Sequence, residues 1–263
     1  MDTTDHRTMP ALHGKLGLVL GIANGSSIAY GCAKAFRDAG AQLAVTYLNA
    51  KAEPWVRPLA EQLQSPLILP CDVREPGQLE AVFEQVRAHW GRLDFVLHSI
   101  AYAPREDLHA RVVDCSQAGF AEAMDVSCHS FIRMAHLAEP LMANGGCLLT
   151  VTFYGSEKVV ADYNLMGPVK AALESSVRYM AAELGDRRIR VHALSPGPLK
   201  TRAASGLERF DELLERARRD APQHRLVGIE DVGAIAAFLV SDASAALTGN
   251  ITYVDAGYHI VAG

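Results

Sequence analysis

Leu16-Gly17-Leu18-Val19-Leu20-Gly21-Ile22-Ala23-Asn24-Gly25-Ser26-Ser27-Ile28-Ala29-Tyr30-Gly31 is the stretch that decides the fold. An apolar run ends in a glycine turn, and a helical pattern opens directly behind it. Glycine lets the chain turn sharply and approach a ligand closely. A helix opening near Ser27 aims unpaired N–H groups and the positive end of its dipole at the turn, an arrangement suited to a phosphate. The spacing is not G-x-G-x-x-G, because Ala23 stands two residues after Gly21. A tight turn with Ser27 as a helix cap is the plain alternative. Position argues for dinucleotide binding, since the turn follows the first strand of a chain that alternates strand and helix throughout.

That alternation extends outward. Apolar runs at Leu16–Gly21, Gln42–Tyr47, Pro66–Pro70, Asp94–His98, Gly146–Thr152, Ile189–Leu194 and Ile251–Asp255 read as strands. Stretches of helical period near 27–39, 51–64, 75–89, 119–143, 161–185 and 229–241 separate them. The strands are apolar without alternation, as expected where both faces of a sheet are covered. The pattern predicts an α/β fold: a single-domain, Rossmann-type, doubly wound parallel sheet of about seven strands flanked by helices. No linker or repeat divides it, so one domain is expected over 13–263 behind a loose polar segment 1–12.

Two long connections, 99–118 and 195–228, break the rhythm. Both leave carboxyl ends of strands, where open α/β sheets bind ligands. Within the second, Phe210, Leu213, Leu214 and Ala217 fall at helical spacing. Such a stripe suits either a surface helix or a lid over a substrate.

Composition narrows the function classes. The 263 residues are 49% apolar and 21% charged with a net charge of −5, which argues against a general nucleic-acid binder. No apolar run has the roughly 18 residues of a membrane span, and the first ten residues lack a signal-peptide core. Cys32, Cys71, Cys115, Cys128 and Cys147 form no C-x-x-C pair, which points to reduced thiols in a cytoplasmic setting and to no metal site.

Tyr163 and Lys170 lie seven positions apart within a predicted helix, nearly two turns, so both are expected on one face. An ammonium there is expected to lower the phenol from its ordinary pKa of about 10 and make it a usable acid. At the end of the second strand, Tyr47-Leu48-Asn49 offers neither an acid for a ribose 2′-hydroxyl nor an arginine for a 2′-phosphate. The missing basic clamp favours NADH over NADPH.

Taken in order, Gly21-x5-Ser27-Ile28-Ala29-Tyr30-Gly31, Cys71-Asp72-Val73, His98-Ser99-Ile100-Ala101, Tyr163-Asn164-x-Met166-x3-Lys170 and Gly197-Pro198-x2-Thr201-x-Ala203-Ala204-Ser205-Gly206 closely resemble the bacterial NADH-dependent enoyl-[acyl-carrier-protein] reductases. That family is a divergent branch of the short-chain dehydrogenase/reductases, and the likeness covers roughly residues 12–262. It implies reduction of the trans-2 double bond of an enoyl-acyl-carrier-protein thioester in fatty acid synthesis, in a cytoplasmic homotetramer. By the same resemblance, Gly21, Ser27 and Ile28 would line the cofactor phosphates, and Leu48, Asp72 and Val73 its adenosine end. Ser99 and Ile100 would lie by the nicotinamide half, and Lys170 would bond its ribose. Leu199, Thr201 and Ala203 would close over the pyrophosphate and carboxamide. Tyr163 would bind the thioester carbonyl oxygen, with Ala103, Phe153, Met166, Ala204 and Phe210 lining the acyl site.

Three positions depart from the pattern. Phe153 stands where most members carry a second tyrosine, with Tyr154 next to it; mycobacterial relatives look similar in having phenylalanine there. Leu48 stands where relatives often have a polar or basic residue, and Ala101 replaces a glycine found in some members. Ketoacyl and alcohol dehydrogenases usually have Tyr-x3-Lys, and the seven-residue spacing here argues against carbonyl reduction. A reductase of another enoyl thioester or enone, and a dinucleotide-binding regulator without turnover, stay open. Arg209, Arg216, Arg218, Arg219 and Arg225 are candidates for docking an acidic carrier protein.

Overall fold

The structure is a computed structural model that describes residues 11–201 and 209–261. Seven parallel strands form one sheet: β1 (Leu16–Leu20), β2 (Gln42–Tyr47), β3 (Leu67–Pro70), β4 (Phe95–His98), β5 (Gly146–Val151), β6 (Ile189–Pro196) and β7 (Ile251–Val254). Their order is β3-β2-β1-β4-β5-β6-β7, so the winding reverses between β1 and β4. Every residue of β1 is buried, because neighbouring strands and helices cover both its faces. The edge strands β3 and β7 are only partly buried, as the end positions of a sheet require.

Two apolar layers sandwich the sheet. On one face, α1 (Ile28–Asp38), α2 (Glu53–Gln62) and α9 (Ile229–Val240) pack Phe36, Val56 and Val232 onto Val19, Val45 and Leu97. On the other, α3 (Gln78–Trp90), α6 (Ser130–Ala138) and α7 (Met166–Leu184) pack Phe83, Phe131 and Leu173 onto Leu18, Val96 and Leu148. Each fully buried large apolar side chain contributes about 1.5–3 kcal/mol, so these faces outweigh local helix propensity.

The strands follow the sequence reading to within two residues at either end. One predicted helix, 119–143, is instead composite. Here α5 (Gln117–Met124) runs into a wider π turn at Asp125–His129 before α6 begins. The π turn projects Ser127 toward the connection after β4, where its hydroxyl both accepts from Tyr102 N–H and donates to Tyr102 C=O at 2.9 Å. That connection also holds the short α4 (Arg105–His109). Buried Asp107 on α4 accepts from Ser116 N–H at 2.5 Å and so fixes the entry to α5.

At the N-terminus, Leu12 is fully buried and its N–H donates to Ala39 C=O at 2.8 Å, so the packed chain includes the last residue of the segment expected to be loose. Residues 1–10 lie outside the described residues. Beyond β6, the helix read from the stripe Phe210, Leu213, Leu214 and Ala217 is present as α8 (Phe210–Asp220), and a short α10 (Tyr258–Val261) follows β7.

Candidate active site

Every candidate residue that the structure describes belongs to a segment at or just beyond the carboxyl edge of the sheet. Gly21 leaves β1 and Ser99 leaves β4, on the two sides of the winding reversal. Gly21 has φ +107°, and a Cβ there would sit 2.0 Å from the Ser99 carbonyl oxygen. Only glycine fits that crossing, because the Ser99 backbone fills the space a side chain would need.

Ser27 does not cap α1. Its hydroxyl turns back and accepts from Ala23 N–H and Asn24 N–H, both at 3.0 Å. The serine therefore stiffens the turn and leaves the helix opening at Ile28 without a side-chain cap, as an anion-binding helix end needs. A cavity of about 400 Å3 lies beside this turn, lined by Gly25, Ser26, Leu199, Lys200 and Val227 among others. Leu199 lines this cavity, and Thr201 N–H donates to Leu199 C=O at 2.8 Å. Ala203 and Ala204 lie outside the described residues. The uncapped helix end and this cavity fit a dinucleotide.

Where the resemblance puts the adenosine, Leu48 is exposed and supplies a surface without charge. Asp72 is clamped by Arg74, with Nε to Oδ1 at 3.0 Å and Nη2 to Oδ2 at 2.7 Å. The guanidinium holds this carboxyl below the usual range, and Arg74 in turn lies 5.2 Å from the Tyr102 ring centroid. Arg133 donates to Val73 C=O at 2.9 Å, so the loop after β3 is fixed from both sides.

The surroundings of Tyr163 are apolar. Tyr163, Met166, Val169 and Tyr154 are buried in a third cluster above the sheet edge, with Ala103, Phe153 and Leu213 packed against it. This brings together Ala103, Phe153, Tyr163 and Met166 from the acyl-site expectation. Phe210 begins α8 half-buried and is not part of this cluster. The apolar stripe of α8 reaches it through Leu213 and Ala217, while Leu214 lines the cavity beside Gly25 and Ser26. Phe153 meets Tyr163 edge-on with ring centroids 4.9 Å apart. Tyr154 points elsewhere, toward Tyr258 at 5.4 Å, and so does not replace the missing tyrosine hydroxyl.

Two expectations about Tyr163 require correction. It is not helical: α7 begins at Met166, and Tyr163 sits in a turn flanked by Asp162 (φ +63°) and Asn164 (φ +39°). Asp and Asn tolerate that left-handed conformation best after glycine, and their neighbours hold it. Asn164 Nδ2 donates to Leu108 C=O at 2.9 Å, and Arg209 grips Asp162 at 3.0 and 3.2 Å. Nor does Lys170 lower the phenol. Burial, with the charge of Glu174 adding to it, pushes the Tyr163 pKa upward. Lys170 is itself buried on α7, where desolvation brings it down to about 8, and its Nζ donates to Val151 C=O at 2.8 Å. Tyr163 is therefore a neutral hydroxyl donor in a dry site.

Sequence reasoning missed a buried polar chain beneath these residues. His98 Nδ1 lies 2.8 Å from Thr150 Oγ1 and its Nε2 lies 2.8 Å from Ser130 Oγ, tying β4, β5 and α6 together. Full burial, with Lys170 adding to it, drives the His98 pKa down to about 3. The unfolded chain takes up this proton below about pH 6.5, whereas the folded chain excludes it until about pH 3. Stability is thus lost as pH falls through that window. Urea unfolding midpoints measured from about pH 7 down to about pH 4 should decline, and His98→Gln should flatten the decline. An unchanged slope would exclude His98 as its source.

The candidate docking arginines are largely engaged: Arg209 with Asp162, Arg218 with Glu215, Arg219 with Asp220 and Arg225 with Asp231. Among the described residues no cluster of His, Cys, Asp and Glu is arranged to hold a metal ion.

Comparison with known proteins places this geometry. The family model described as enoyl-(acyl carrier protein) reductase matches residues 21–259. Enoyl-[acyl-carrier-protein] reductase [NADH] 1 of Rhizobium meliloti (strain 1021) is 46% identical over 250 residues, 95% of this chain and 92% of the relative. The enoyl-acyl-carrier-protein reductase of Anaplasma phagocytophilum, solved in complex with NAD, superposes with a TM-score of 0.93 at 44% identity, covering 98% of each chain. The Bacillus cereus enoyl-acyl carrier protein reductase, solved with NADP+ and an indole naphthyridinone, gives a TM-score of 0.94 at 43% identity over 97% of this chain and 100% of that one. With the family model matched over residues 21–259 and relatives similar over nearly the whole chain, this chain belongs to the enoyl-(acyl-carrier-protein) reductase family.

Proposed function

We propose that this protein reduces the trans-2 double bond of enoyl-acyl-carrier-protein thioesters with NADH, the last step of the fatty acid elongation cycle. The observation that carries the reading is the buried, neutral hydroxyl of Tyr163 in an apolar layer, on the same sheet edge as the uncapped opening of α1. Gly21, Ser27 and Ile28 would hold the cofactor phosphates, Leu48, Asp72 and Val73 the adenosine, and Ser99 and Ile100 the nicotinamide half. Lys170 would hold the nicotinamide ribose from below. When bound, the reduced cofactor supplies a hydride for the electrophilic β-carbon of the thioester.

The protein's part is to position and to stabilise charge. As the double bond is reduced, negative charge gathers on the thioester carbonyl oxygen. Tyr163 donates a hydrogen bond to that oxygen, and in a water-poor site a fixed donor is worth far more than in bulk water. A phenol whose pKa is raised keeps its proton at neutral pH, as a donor must. The Phe153 ring holds the phenol from the side without competing for the oxygen. Leu213 and Ala217 on α8 exclude water from above and offer apolar contact to an acyl chain.

Phe120, Ile132 and Tyr179 are exposed on α5, α6 and α7, which supports a symmetric assembly, read here as a homotetramer. Sedimentation velocity tests it. Free cysteines, four of them buried, support a reducing, cytoplasmic setting, and no helix among the described residues is long and apolar enough to cross a membrane.

The functional test follows NADH oxidation with a trans-2-enoyl-acyl-carrier-protein and, in parallel, a 3-ketoacyl thioester and NADPH. Rapid oxidation with the enoyl substrate and NADH is expected. Preference for the ketoacyl substrate, or NADH binding without turnover of either, would overturn the reading.

A further inference from the structure

Glu174 lies one helical turn beyond Lys170 on α7 and is only 4% exposed. A carboxylate so placed loses most of its hydration and must be repaid by hydrogen bonds or opposite charge. Its Oε1 accepts from Thr152 Oγ1 and from Ser156 Oγ, both at 2.6 Å, within the short range of charge-assisted hydroxyl–carboxylate bonds. These two donors bracket Phe153, Tyr154 and Gly155. That bracketed segment is what Tyr163 rests on: the Phe153 ring meets it, and a Cβ at Gly155 would fall 2.6 Å from Tyr163 Cδ1.

We propose that Glu174 is a positioning residue for the reductase site, its carboxylate clamping the Thr152–Ser156 segment against Tyr163 and supplying the counter-charge that Lys170 needs. The proposal rests on the reductase reading for its kinetic arm only.

Two groups around Lys170 favour its ammonium against desolvation, Cys128 first and Glu174 second, and of the two Glu174 is the carboxylate. From β4 comes His98, which burial keeps neutral. From the π turn comes Cys128, a thiol that burial pushes up and that also favours the Lys170 ammonium. From the turn before α7 comes Tyr163, protonated, and from β5 the Val151 carbonyl. Among the described groups acting on Lys170, Glu174 is the carboxylate, and its charge favours the ammonium against the desolvation that lowers it to about 8. Removing that charge lets Lys170 lose its proton at lower pH. A glutamate that served only to fill the helix interface would have no such effect.

Two variants separate charge from scaffold. Glu174→Gln keeps an oxygen able to accept both hydroxyls but carries no charge, while Ser156→Ala removes one donor and leaves the charge. The first readout needs neither cofactor nor substrate: a pH titration of the Lys170 side chain by NMR in protein carrying 13C-labelled lysine, assigned with Lys170→Met. In Glu174→Gln the Lys170 midpoint is expected to fall, and in Ser156→Ala to stay. The second readout is turnover. In Glu174→Gln kcat should drop about 10-fold, with the alkaline limb of kcat/KM displaced to lower pH. Ser156→Ala should lose less, with that limb unmoved. An unshifted Lys170 midpoint in folded Glu174→Gln overturns the counter-charge role. Unchanged kcat in both variants overturns the positioning role. Wild-type protein that does not reduce enoyl thioesters defeats the reductase reading and, with it, the positioning role, while the titration still decides the charge.

Discussion

Tyr163→Phe is expected to lower kcat for enoyl thioester reduction about 10²-fold or more while leaving NADH affinity within a factor of about 2. The phenyl ring preserves the edge-on contact with Phe153 and the burial among Met166 and Val169, so the fold loses little. What disappears is the one hydroxyl that the apolar layer presents at the expected carbonyl position. Charge that develops in such a site has no water to fall back on, which is why a missing donor costs rate more than affinity. The check is steady-state kinetics together with fluorescence titration of NADH. A variant with wild-type kcat would mean that another group stabilises the oxyanion. A variant that had also lost NADH affinity would mean that Tyr163 organises the cofactor end.

The second large effect belongs to the other end of the site. Gly21→Ala should weaken NADH binding at least about 10-fold and lower the melting temperature. The argument has two independent parts. At φ +107° an L side chain is strained by about 1–3 kcal/mol, and the new Cβ would sit 2.0 Å from the Ser99 carbonyl, a distance that forces β1 and β4 apart at their ends. Since the cofactor would lie across that junction, the displacement falls where its phosphates and nicotinamide must be held together. Isothermal titration with NADH, alongside a thermal melt, separates the two consequences. Unaltered affinity in a destabilised but folded variant would place the dinucleotide elsewhere.

The sheet was legible because its information is local. Gln42–Tyr47 shows the reason: six residues without alternation, bounded by Gly40 and Asn49, admit one reading, and the structure reproduces both ends. Longer-range features were not. The π turn at Asp125–His129 interrupts an apolar period that reads through it without a break, because the insertion shifts the helix face and leaves the composition unchanged. Tyr163 was read as helical for the same reason, although Asp162 and Asn164 on either side were a usable signal for a left-handed turn.

Electrostatics was least legible. The Tyr163–Lys170 spacing suggested that the ammonium would lower the phenol pKa, but spacing does not measure desolvation, and burial moves both groups the other way. Glu174 reads in sequence as an ordinary polar helix residue. Its partners Thr152 and Ser156 are about twenty positions distant and meet it only once β5 and α7 have packed.

The most direct test of the central claim is the fate of the hydride. NADH carrying deuterium at the transferable position would be incubated with a trans-2-enoyl-acyl-carrier-protein, and the acyl product analysed by mass spectrometry. The account predicts a saturated acyl chain with one deuterium on the β-carbon. A saturated product labelled elsewhere, or unreduced thioester in the presence of bound NADH, would contradict it.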